Sequence, residues 1–131
     1  MNRGPKIGEM LAHYRVLDRL ASGGMGEIYI AEDTRLDRRV ALKVLPTAAV
    51  SDHEKLQRFR AEAKAIAAMN HPNIVTVHGV EEVRGIHFIA MELVDGKTLR
   101  ELLSTGGLPM HEFLRIAEQL TEAVAVAHDA G

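Results

Sequence analysis

Two short glycine-bearing connections constrain this chain more than any other feature. Ser22-Gly23-Gly24-Met25-Gly26 separates the strand-like stretch Tyr14 to Leu20 from a second at Glu27 to Glu32. Arg84-Gly85 separates Ile74 to Val80 from Ile86 to Leu93. Strands this close together fold back as hairpins, because a parallel crossover needs a dozen or more intervening residues. A further strand runs from Arg39 to Leu45 and is ended by Pro46. The sheet is therefore expected to be antiparallel, with room for a crossover only past one long helix. Alternation sets its faces. Ile28 and Ile30 lie opposite Tyr29, and Val40, Leu42 and Val44 face the core while Ala41 and Lys43 share the other side.

The long helix is expected from Ser51. Ser51-x-x-Glu54 has the form of a capping box, and alanine-rich sequence continues to about Met69, where Asn70-His71-Pro72-Asn73 stops it. Leu56, Phe59, Ala63, Ile66 and Ala67 form its expected buried face. After Val94-Asp95-Gly96, Thr98-x-x-Glu101 caps a short helix ended by Gly106-Gly107. Pro109 suits the first turn of a last helix, which carries Phe113, Ile116, Ala117, Leu120, Val124 and Ala127 at helical spacing. Met1 to Ala12 reads as a flexible lead-in broken by Gly4-Pro5 and Gly8. The expected order is three strands, a helix, two strands and two helices, an α+β fold.

A chain of 131 residues can build one modest domain, not a two-lobed enzyme. Its 16 Lys and Arg against 18 Asp and Glu leave a net charge of −2, with no broad positive field to attract nucleic acid or an anionic membrane. With 0 cysteines, a disulfide scaffold, Cys-ligated zinc and thiol catalysis are excluded, and a cytoplasmic location is expected. Met1 to Leu20 has no signal-peptide core, and the apolar run Ala123 to Ala127 is far too short to span a bilayer. These features leave the anchoring of any longer parent chain open.

Three places could carry chemistry. The glycine cluster could bring backbone N–H groups close to a phosphate, although taken alone it fits an ordinary hairpin turn better. A dinucleotide-binding fingerprint is disfavoured, because a strand rather than a helix follows the glycines. Lys43 is costly among apolar neighbours unless paired, or else it snorkels from an edge. Glu62 falls near Phe59, Ile66 and Met69 on the helix, where it either finds a cation or reaches water at the rim. Lys43 is the only lysine inside the expected sheet, and pairing the two would aim its ammonium at a phosphate. Gly96-Lys97-Thr98 imitates the end of a Walker A loop, but Met91 occupies the place of the required first glycine, so Thr98 reads as a helix cap. The 7 histidines have no metal-ligand spacing, and there is no Gly-x-Ser-x-Gly elbow.

The run Leu20-Ala21-Ser22-Gly23-Gly24-Met25-Gly26-Glu27-Ile28-Tyr29 is similar to a kinase glycine-rich loop, and Val40-Ala41-Leu42-Lys43 to V-A-I-K. Phe59-Arg60-Ala61-Glu62-Ala63 is similar to the helix segment that carries the lysine's glutamate partner. His71-Pro72-Asn73-Ile74-Val75 is similar to the turn into the fourth strand, and Met91-Glu92-Leu93-Val94-Asp95-Gly96 to a gatekeeper plus hinge. In this order, from about Tyr14 to Gly131, the chain resembles the start of a eukaryotic-type serine/threonine protein kinase in its bacterial form.

The resemblance implies a kinase small lobe over residues 14–96, a five-stranded antiparallel sheet plus one long helix. It is preceded by a lead-in over 1–13 and followed over 97–131 by the first two helices of an incomplete large lobe. It implies ATP as ligand, used as Mg-ATP in the family. Gly23, Gly24 and Gly26 would let the loop lie on the phosphates, and Lys43 would contact the α/β-phosphates, held by Glu62. Leu20, Ile28 and Ala41 would sandwich the adenine, Met91 would sit behind it, and the backbones of Glu92 and Val94 would hydrogen-bond it. Ala21 departs from the family, standing where the first loop glycine belongs; it is harmless at negative φ and unfavourable at positive φ.

Ala127-His128-Asp129-Ala130-Gly131 resembles the stretch just before the catalytic loop, and no H-R-D, metal-binding Asn or D-F-G occurs in the chain. It carries no catalytic residue or metal ligand on this reading, and it is expected to be inactive alone. A protein substrate is implied only for a full-length parent. The last helix is expected to be loosely docked, with an apolar face open to self-association. The other reading is a non-catalytic kinase-like interaction module.

Overall fold

The computed structural model describes residues 4–23, 26–45, 52–104 and 106–130. In chain order the elements are β1 (Met10–Leu11), β2 (Tyr14–Gly23), β3 (Gly26–Asp33), β4 (Arg38–Val44), α1 (His53–Ala67), β5 (Val77–Val83), β6 (Ile86–Glu92), α2 (Leu99–Leu103) and α3 (Met110–Asp129). The strands form one sheet in the order β1-β2-β3-β4-β6-β5, and every neighbouring pair is antiparallel. Only the step from β4 to β6 skips a place, and α1 lies in the connection that makes it.

Strand alternation gives the sheet two unlike faces. Val40, Leu42 and Val44 pack with Tyr14, Val16, Tyr29, Ala31, Phe88 and Ala90 in a buried cluster on one side. The Tyr29 hydroxyl donates to Glu27 there, and burial with that hydrogen bond pushes the phenol up to about 12. The opposite face receives α1, whose Phe59 and Ala63 pack against Leu45 and Ile89. Leu56 and Ile66 are half-buried and Ala67 is exposed, so α1 touches the sheet along a narrower stripe than the sequence pattern suggests.

Several boundaries differ from the sequence reading, and three of them have a clear cause. Residues expected as lead-in contribute the two-residue β1, which pairs with β2 through Leu11↔Tyr14. Leu11 is 0% exposed, and the turn between the strands holds Ala12 at φ 52. A strand this short has no alternation to read. The α1 cap is Asp52, whose side chain accepts the Lys55 N–H at 3.2 Å; Ser51 lies outside the described residues. β5 starts at Val77 rather than Ile74, because the Ile74 N–H donates to the His71 carbonyl in a turn.

Of the two last helices, α2 follows the expected capping and α3 departs from it. Thr98 accepts the Glu101 N–H while the Glu101 carboxylate accepts the Thr98 N–H, a complete capping box on α2. Pro109 stands at the cap of α3 rather than inside its first turn. No residue of α3 is buried; Phe113 and Leu120 are more than half exposed. Among the described residues, no helix is long and apolar enough to cross a membrane.

Candidate nucleotide site

Register assembles the site. Lys43 on β4 faces Ile28 on β3 and Ile89 on β6, and Ala41 faces Ile30 and Met91. Partners directly opposite in an antiparallel pair point the same way, so Ile28, Ala41, Lys43 and Met91 share the face that α1 covers in part. Glu62 projects toward that face from α1, on the turn between Phe59 and Ala63. The Lys43 ammonium donates to Glu62 Oε1 at 2.6 Å. The lysine side chain is 15% exposed and the glutamate 34%. A lysine drawn over apolar sheet is compensated by this charge-assisted bond.

The loop beside this pair is defined at its two ends. Gly23 pairs with Gly26 across the β2–β3 hairpin. Gly26 is buried at φ 118, a conformation glycine adopts at little cost and residues with a Cβ adopt only with strain. Gly24 lies outside the described residues. Leu20 falls at the irregularity between the pairings Arg19↔Tyr29 and Ala21↔Ile28, and it is 54% exposed. Ala21 sits in the strand without positive φ, so its methyl group is accommodated without strain.

At the far end of β6, Glu92 is held twice by one residue. Its N–H donates to the Thr76 carbonyl at 2.8 Å, and its Oε2 accepts the Thr76 N–H at 3.1 Å. Val94 follows beyond the strand and is exposed. Of the residues chosen from sequence, Ile28, Ala41, Lys43, Glu62 and Met91 are thus brought to one face. Leu20, Ala21, Gly23 and Gly26 border it, and Glu92 and Val94 lead away from it.

The sequence reading overlooked a buried carboxylate that fixes the β3–β4 turn. Asp33 is 2% exposed and accepts the N–H groups of Arg35 and Leu36 at 3.0 and 3.2 Å. His13 and Arg38 each stand 3.7 Å from it. Burial acts to raise the Asp33 carboxyl, but the two N–H donors with His13 and Arg38 together hold it below the ordinary 3.8. Asp33-Thr34 at the end of a strand is a turn signal that could have pointed to it. Asn73 was also overlooked as a tether. Its side-chain amide donates to the Gln119 carbonyl at 3.1 Å and to Glu122 at 3.4 Å, joining the turn after α1 to α3.

The family model "Protein kinase domain" matches residues 14–131. The chain belongs to the protein kinase family. The chain is 42% identical over 125 residues to the serine/threonine-protein kinase PrkC of Bacillus subtilis, covering 93% of itself and 19% of that protein. It is 42% identical over 134 aligned positions to the serine/threonine-protein kinase PknA of Mycobacterium tuberculosis, covering 97% of itself and 31% of that protein. The crystal structure of the M. tuberculosis PknI kinase domain superposes with a TM-score of 0.81 at 33% identity, over 98% of this chain and 53% of that one. The chain therefore spans less than a third of these curated kinases and about half of the solved kinase domain. The sheet and α1 described above are the small-lobe architecture of this kinase family, as the sequence implied, except that the sheet has six strands rather than the expected five because β1 adds to its edge.

Proposed function

We propose that these residues form the ATP-binding part of a serine/threonine protein kinase. The observation that carries this reading is the Lys43–Glu62 bond of 2.6 Å on the face shared with Ile28, Ala41 and Met91. A nucleoside triphosphate presents a polyanion and a flat apolar base, and this face offers a held cation beside aliphatic side chains. Lys43 contacts the α/β-phosphates and Glu62 keeps it aimed there. Gly23, Gly24 and Gly26 allow the loop to approach the phosphates, with Ala21 beside them in the strand. Leu20, Ile28 and Ala41 enclose the adenine, and Met91 lies behind it. With the Glu92 N–H committed to Thr76, a main-chain contact from Glu92 to the base uses its carbonyl. Val94 offers its backbone one step further along.

Mg-ATP, when bound, supplies the phosphoryl group and neutralises its charge; none of the residues assigned here is a general base or metal ligand. The 131 residues alone are therefore expected to bind nucleotide without transferring phosphate. Protein Ser/Thr side chains would be acceptors only for a parent that adds those groups, and a part that uses ATP works in the cytoplasm. The exposed apolar side of α3 favours a second reading, a non-catalytic module that self-associates or binds a partner.

Titration of the chain with ATP and magnesium separates the two. Lys43→Met is expected to weaken binding about tenfold or more, since it removes the charge that meets the phosphates, while the unfolding midpoint stays close to that of the parent. Absence of binding, or binding indifferent to Lys43→Met, would leave the module reading in its place.

A further inference from the structure

The position of α1 decides whether Glu62 reaches Lys43, yet α1 is held to the sheet by a narrow apolar stripe. Its fully buried residues are Phe59 and Ala63. A helix resting on so few side chains can swing off the sheet with little loss of buried surface. Successive residues turn by about 100° around a helix, so Arg60 and Glu62 lie on opposite flanks of that stripe. Glu62 is tied on one flank to Lys43. Arg60 is tied on the other: its Nη2 stands 3.8 Å from Glu82 Oε2 on β5.

Glu82 is itself seated by the sheet. It pairs across the hairpin with His87 on β6, and His87 Nδ1 stands 3.5 Å from the same Oε2. The His87 side chain is 8% exposed and lies beneath Glu82, while Arg60 reaches Glu82 from above. The His87 carbonyl also accepts the Leu45 N–H at 2.9 Å, and Leu45 packs against Phe59. The β5–β6 hairpin, the end of β4 and α1 therefore meet at one point, on the flank of α1 away from Glu62.

We propose that Glu82, gripped by Arg60 and backed by His87, is a positioning residue for the nucleotide site. It holds α1 down against the β5–β6 hairpin and so keeps Glu62 within reach of Lys43. Neither Arg60 nor Glu82 touches the face assigned to ATP. Their effect is transmitted through the attitude of the helix: the two ion pairs hold both flanks of α1 to the sheet, and losing one frees the helix to swing outward and carry the other partner with it. The proposal rests on the assignment of Lys43 and Glu62 to nucleotide binding, and it adds the element that holds them together.

The test uses Glu82→Gln, which keeps shape and removes charge, in the full 131-residue chain. Two readouts are taken: the affinity for ATP with magnesium, and the NMR resonance of the Lys43 ε-methylene group without nucleotide. Glu82→Gln is expected to weaken ATP binding about two- to fivefold, the scale of a half-exposed ion pair. It should cause much less further loss in a Glu62→Gln background, and it should move the Lys43 resonance toward its position in Glu62→Gln. Arg60→Ala should reproduce both effects and Arg60→Lys should largely restore them. An unmoved Lys43 resonance in Glu82→Gln, or equal losses of affinity with and without Glu62, would overturn the proposal. ATP binding indifferent to Lys43→Met would instead reject the nucleotide assignment, and the resonance measured without nucleotide would still decide whether Glu82 holds the pair.

Discussion

The two faces of the sheet are built from the same strands and do different work. β4 sends Val40, Leu42 and Val44 into a cluster where most side chains are inaccessible, and sends Ala41 and Lys43 to the face beneath α1. The first face is closed mainly by packing. The second is closed in part by a helix and in part by an ion pair that remains open on one side. A period of two thus lets one short strand anchor the fold and present a cation, with stability and chemistry kept on opposite sides of a single backbone.

This division can be broken most forcefully from the closed face. Phe88 is 0% exposed, and Phe88→Ala should cost about 3–5 kcal/mol in chemical denaturation, enough to unfold a marginal chain of this size. ATP affinity measured on whatever fraction stays folded should be nearly unchanged. A mild loss of stability would mean that the cluster is not the anchor described.

The complementary change comes from the open face. Lys43→Met replaces the ammonium with an apolar group of similar length and leaves Glu62 able to reach water. Stability should shift by less than about 1 kcal/mol, while nucleotide affinity falls about tenfold or more. If the change unfolds the chain instead, the ion pair belongs to the scaffold and the two faces are not separable.

Asp33 sharpens the comparison at the edge of the sheet. Its carboxyl is held below the ordinary value in the folded chain, so the ionised form is what the fold favours. That stabilisation is complete above the unfolded carboxylate range, near pH 4, and is lost as the pH falls through the lower native value. Asp33→Asn should cost about 1–3 kcal/mol at neutral pH and flatten the acid limb of the stability curve, read from unfolding midpoints across pH 3 to 7. An unchanged acid limb would show that Arg35, Leu36, His13 and Arg38 do not stabilise the charged form.

The smallest effect is expected at Ala21. Its backbone is already extended, so Ala21→Gly relieves no strain and adds only flexibility to the unfolded chain. A loss of under about 1 kcal/mol is expected, with ATP affinity changed by less than about threefold. A large gain in affinity would mean that the methyl group holds the loop away from the phosphates.

Much of this division was legible in the sequence. The alternation around Lys43 and the 3.6-residue spacing around Glu62 are local patterns, and the cost of leaving either charge unpaired on an apolar face joins them. The family motifs then give the pair a purpose. What escaped was written in contacts rather than patterns. β1 is too short to alternate, and its Leu11 is defined only by packing on β2. The α1 cap falls on Asp52, one residue past the serine of the sequence pattern, and since both residue types suit a cap the pattern alone does not choose between them. Asp33 looks like any turn carboxylate until His13, distant in sequence, and Arg38 close around it. The grip of Arg60 on Glu82 spans two elements with no shared period, so nothing local announces it.

The central claim is that Lys43 and Glu62 act on nucleotide as one unit. Its most direct test is a titration of ATP with magnesium into four chains: the parent, Lys43→Met, Glu62→Gln, and the combination of both changes. If the account is right, each single change weakens binding and the double change is no worse than Lys43→Met alone. Losses that simply add, or a Glu62→Gln chain that binds as tightly as the parent, would contradict it.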